Sequence, residues 1–105
     1  MMSWCKLQFS FDEDNPIDRV DMLTDELRKR DESLNHPSGV AVFTGVAKAR
    51  TERIFLEVYF SPAAVAICPD ILASWGAIEC PAPIGSELQN FGLSYGNSAS
   101  WDLLK

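Results

Sequence analysis

Ile54-Phe55-Leu56-Glu57-Val58-Tyr59-Phe60 is the stretch on which the fold turns. It is rich in the β-branched and aromatic side chains that suit a pleated surface, and it carries one charge. With a period of two, Ile54, Leu56, Val58 and Phe60 share one face of a strand. Phe55, Glu57 and Tyr59 share the other, which is unusually aromatic for a face turned to water. Upstream, Val40 to Ala49 reads as a second strand, joined to Arg53–Phe60 by a short charged turn near Arg50-Thr51-Glu52. Val40, Val42 and Val46 share a face with Thr44, and Gly45 marks either a bulge or a close backbone approach.

Downstream, Ser61-Pro62 is a helix cap followed by the one residue type that loses nothing at the first helical position. Pro69 then interrupts a run of helix formers, and an interior proline both removes a hydrogen bond and clashes with the preceding turn. Two readings follow. Either a short helix breaks near Cys68 and restarts at Pro69, or Ala63–Cys68 is a strand followed by a helix from Pro69 to Trp75. Gly76 is a C-terminal cap in both. Ala77-Ile78-Glu79-Cys80 reads as a short strand, closed by Pro81-Ala82-Pro83.

Toward the N-terminus the signals are cleaner. Trp4 to Phe11 alternates, with Cys5, Leu7, Phe9 and Phe11 on one side and Trp4, Lys6, Gln8 and Ser10 on the other. Asn15-Pro16 opens a helix whose apolar stripe is Ile17, Val20, Leu23, Leu27 and Leu34. Asp18 and Asp21 suit its positive end, and Arg28, Lys29 and Arg30 its negative end. Asp25 with Lys29 and Glu26 with Arg30 are i,i+4 ion pairs in the favourable order. Matching periodicity in adjacent segments predicts that this stripe packs on the sheet face bearing Leu7 and Phe9. Asn35-His36-Pro37-Ser38-Gly39 ends the helix. At the far C-terminus, Ser86 to Phe91 reads as a turn of helix, or Phe91–Tyr95 and Ser98–Leu103 read as a hairpin about Gly96-Asn97.

Strand, helix, strand, strand, helix, strand is the split βαβ order of ferredoxin-like folds. The expected fold is therefore α+β: a single domain of 105 residues, a ferredoxin-like split βαβ sandwich with an extra C-terminal element. The alternative is an antiparallel sheet with one long helix and a C-terminal hairpin.

The chain carries a formal net charge of −6 and has no Lys or Arg from Ile54 to Leu104. The one cationic cluster, Arg28-Lys29-Arg30, lies in an acidic helix, which argues against direct nucleic-acid binding and against an anionic membrane surface. Three cysteines, Cys5, Cys68 and Cys80, form no CxxC motif, and the Met1–Lys6 start has no secretory signature. Buried thiols in a reducing cytoplasm are the expectation.

No motif carries a cofactor, a metal or a catalytic constellation. Asp14, Asp18, Asp21 and Asp25 lie near one helical face, but the calcium-loop pattern is absent and a solvated acidic face is the simpler reading. His36 is the lone histidine, so a His-rich metal site is excluded, and no motif pairs it with a cysteine. Phe55, Tyr59, Trp75, Trp101 and His36 are the candidate ligand or partner contacts, with Trp4 as a further aromatic.

Two function classes fit. The first is a small acidic cytoplasmic interaction module that neutralises a basic protein, in the manner of an immunity protein, an antitoxin or a nucleic-acid mimic. The second is a small-molecule binder or small enzyme with a pocket between sheet and helix, completed by a dimer mate. A homodimer is expected in either case, because both faces of Ile54–Phe60 are apolar and one helix covers only part of a small sheet. The competing cover for that face is the chain's own C-terminal segment, through Phe91, Tyr95 and Trp101.

Overall fold

The computed structural model describes residues 3–11, 16–31, 40–48, 54–83 and 91–96. In chain order the elements are β1 (Trp4–Ser10), α1 (Pro16–Asp31), β2 (Ala41–Lys48), β3 (Ile54–Phe60), α2 (Pro62–Ile67), α3 (Pro69–Ser74), β4 (Ile78–Cys80) and β5 (Phe91–Gly96). The strands form one antiparallel sheet in the order β4-β1-β3-β2-β5. The fold is α+β, as the element succession implies. The crossover from β1 through α1 to β2 skips β3, and that from β3 through α2 and α3 to β4 skips β1. β5 is the extra C-terminal element and joins the sheet beside β2. The alternative with one long helix falls, because α2 and α3 are present beside α1.

The helices share one side of the sheet. Val20, Leu23 and Leu27 of α1 pack with Leu7 and Phe9 of β1, Leu56, Val58 and Phe60 of β3, Ala64 and Val65 of α2, and Leu72 of α3. The stripe therefore docks where its periodicity predicts, but its ends differ. Ile17 is 53% exposed, while Pro16, Thr24 and Asp31 are buried on that side of the helix. Leu34 lies outside the described residues. Val46 and Ile54 share the helix-side face of their strands yet are each 52% exposed, at the hairpin end of the β2–β3 pair.

Ser61 sets the corner between β3 and α2. Its backbone is extended (φ −65°, ψ 159°), and its Oγ accepts from the N–H of Ala64 at 3.4 Å as an N-cap. The same oxygen accepts from the N–H of Ala41 at 2.9 Å, and the Ser61 N–H donates to the Ala41 carbonyl at 3.0 Å. The segment after it is helix, so the strand reading of Ala63–Cys68 is overturned. Pro69 does not abolish the helix; it begins a new one, where its missing N–H is no loss. Trp75 is the C-cap of α3 and not its last helical residue. Gly76 follows at φ +82°, and the Gly76 and Ala77 N–H groups return to the carbonyls of Ala73 and Leu72. That pair of bonds is a Schellman closure, and the left-handed residue within it suits glycine.

β4 is as short as its sequence suggests and is followed by Pro81 and Pro83. Phe91 opens a strand, so the helix reading does not extend to it. Residues 84–90 and the expected hairpin partner Ser98–Leu103 lie outside the described residues, as do the Arg50-Thr51-Glu52 turn and the Asn15 cap. No helix among the described residues is long and apolar enough to cross a membrane.

Candidate functional site: the sheet face without helices

Alternation along the strands sends a second set of side chains away from the helices. Trp4, Lys6 and Gln8 come from β1, Phe43 and Gly45 from β2, and Phe55, Glu57 and Tyr59 from β3. Phe91 and Leu93 of β5 and Ile78 and Cys80 of β4 extend this face to both edges. Its centre is Phe43, which is fully buried and packed by Trp4, Tyr59 and Phe91. The Trp4 and Phe43 rings stack with centroids 6.3 Å apart, and Tyr59 tilts against Phe91 at 5.6 Å. Both separations lie in the range where aromatic pairs attract beyond their area.

Gly45 is the hinge of this arrangement. A Cβ there would stand 2.5 Å from the Phe91 ring and 2.9 Å from the Phe91 Cα. Of the two roles open to Gly45, the close approach is the observed one, and the irregularity in the β2–β5 register falls elsewhere, between Val42 and Phe43.

One polar island interrupts the face. Glu57 is only 8% exposed, its carboxylate accepting from the Gln8 side-chain amide at 2.8 Å, with the Lys6 ammonium at 3.7 Å. The cross-strand register places Gln8 directly opposite Glu57 and Lys6 opposite Tyr59. A buried carboxylate needs such partners, because removal from water is expensive for an unpaired charge.

The candidate contact residues do not converge. Phe55 and Tyr59 are half-buried on the helix-free face, joined there by Trp4. Trp75 lies on the opposite side, edge-on to Phe9 at 6.1 Å, with the Arg19 guanidinium 6.0 Å from its ring centre. His36, Trp101 and Asp14 lie outside the described residues. Asp18, Asp21 and Asp25 are exposed along α1. Asp25 takes Arg28, one residue nearer in sequence than the expected Lys29, with N···O 3.0 Å. Glu26 pairs with Arg30 as its spacing predicts. Among the described residues no group of three His, Cys, Asp or Glu side chains could hold a metal.

Two polar connections have no local signal in the sequence. Arg30 forks onto Asp70 across the α1–α3 gap, at 2.8 and 3.2 Å, and also reaches the Ile67 carbonyl at 3.4 Å. The hydrogen bond from Arg30 holds the Asp70 carboxyl below its ordinary value, and the Asp70 acceptor holds the Arg30 guanidinium above its own. The Tyr95 hydroxyl of β5 donates to the Asp31 carboxylate at 2.6 Å, tying the last residue of α1 to the added strand. Asp31 sits four residues after Leu27, so the helical period marks it as inward-facing; its polarity alone hid it.

The cysteines form no disulfide. Only Cys68 is fully buried, a correction to the expectation of three buried thiols; Cys5 and Cys80 are half-buried. Burial pushes the Cys68 thiol up to about 11, and its Sγ donates to the Ala64 carbonyl at 3.4 Å. Burial, with Glu79 nearby, also raises Cys5. A raised thiol is a poor nucleophile at neutral pH.

A half-open groove of about 220 Å³ runs between α1 and α3, lined by Met22, Leu23, Glu26, Ile71 and Trp75. Among the described residues its lining holds no cysteine. Compared with known proteins, the chain matches no family model, no curated protein and no solved structure.

Proposed function

We propose that this chain is a non-enzymatic interaction module, which joins a second copy of itself through the helix-free sheet face and offers its acidic exterior to a basic protein. Immunity proteins, antitoxins and nucleic-acid mimics work in the second of these ways. The observation that carries the reading is the charge of that face. Its described charged residues are Lys6 and Glu57, one of each sign and already paired. Two copies that each carry −6 repel over most of their surface. The helix-free face is where they meet without bringing like charges together, on aromatic side chains of the kind enriched at interfaces. Three thiols and no disulfide suit a reducing compartment, so the proposed place of work is the cytoplasm.

The small-molecule reading rests on the α1–α3 groove and is the weaker of the two. At about 220 Å³ the groove falls short of the roughly 300–1,000 Å³ usual for ligand sites. It is also half open, and among its described lining residues only Glu26 is ionisable.

Sedimentation equilibrium at micromolar concentration tests the proposal on the wild type and on Tyr59→Glu. Tyr59 is half-buried at the aromatic cluster, and a carboxylate there adds a like charge to both copies across a two-fold contact. The expected result is a dimer mass for the wild type and a monomer mass for the variant, with far-ultraviolet circular dichroism unchanged. A wild-type monomer at every concentration overturns the dimer.

A further inference from the structure

We draw no further inference here: the strongest candidate, the half-open groove between α1 and α3 lined by Met22, Leu23, Glu26, Ile71 and Trp75, is a largely apolar surface, and nothing in the structure shows what covers it.

Discussion

The two faces of the sheet are built from the same strands and solve different problems. On the helix side, side chains from β1, β2 and β3 meet α1, α2 and α3 in one continuous core, and Leu27, Val42, Val58 and Ala64 are fully out of water. On the other side, among the described residues, Ala41 and Phe43 form the buried hydrophobic cluster; Trp4, Tyr59 and Phe91 ring them half-buried. The helix side is closed by the chain's own secondary structure. The helix-free side is closed by aromatic rings lying across the strands, with the Lys6–Glu57–Gln8 island set among them. The difference teaches that alternation along a strand decides which residues are turned inward, while the depth of burial is decided by what the rest of the chain lays over them.

Substitutions on each face sharpen this contrast. The largest effect is expected on the helix side. Leu27→Ala leaves a cavity in the continuous core and should lower the unfolding free energy by about 2–5 kcal/mol in urea titration. A loss below about 0.5 kcal/mol, the size of an ordinary surface substitution, would break the comparison.

Gly45→Ala probes the other side. The new methyl meets the Phe91 ring and backbone, so β5 must shift, and overpacking of this kind costs about 1–3 kcal/mol. Hydrogen exchange should quicken in β5 and β2 more than in β1. An unchanged exchange pattern would mean that the ring yields without moving the strand.

Tyr95→Phe tests the tie between β5 and α1, since Tyr95 packs in the helix-side core. It removes the donor to a buried carboxylate at Asp31 while keeping the ring, with an expected loss of about 1–3 kcal/mol. Equal stability of variant and wild type would show that the hydroxyl contributes nothing.

The smallest effect is expected at Asp70→Asn, an exposed site. The folded-state value of Asp70 is depressed by Arg30, so its contribution is present above the ordinary carboxylate value of 3.8 and is lost as the pH falls below it. The Tm of the wild type should exceed that of the variant at pH 7 and approach it below pH 3.8. A difference that persists in strong acid would assign it to packing instead of charge.

What could be read from the sequence follows from the range of the interactions. β1, α1 and β3 announce themselves because a repeating period over seven or more residues is a local signal. The α2–α3 break was legible only as one of two options, because Ala, Val and Ile suit strand and helix alike and Pro69 ends one element as readily as it begins another. β5 was harder still. Phe91-Gly92-Leu93-Ser94-Tyr95-Gly96 has two glycines, and its partner β2 lies some fifty residues earlier, as the Thr44–Ser94 hydroxyl pair shows. Of the candidate site, Phe55 and Tyr59 were visible as the wrong residues for a wet face. Gly45 was visible as one of two options, a bulge or a close approach, while Phe43 and the burial of Glu57 were not, because each depends on strands meeting across the sheet.

Pro69 has one more consequence, for the order in which the molecule assembles. By dividing the β3–β4 connection it leaves two helices of six residues each. Helices that short do not persist alone in water, where about 12–15 residues are already marginal. α2 and α3 can therefore hold their shape only against a sheet that already exists, whereas α1, at sixteen residues, has the length to flicker into being early. The crossover that brings β4 to the edge of the sheet is therefore expected to form late in folding, templated by the surface it comes to cover.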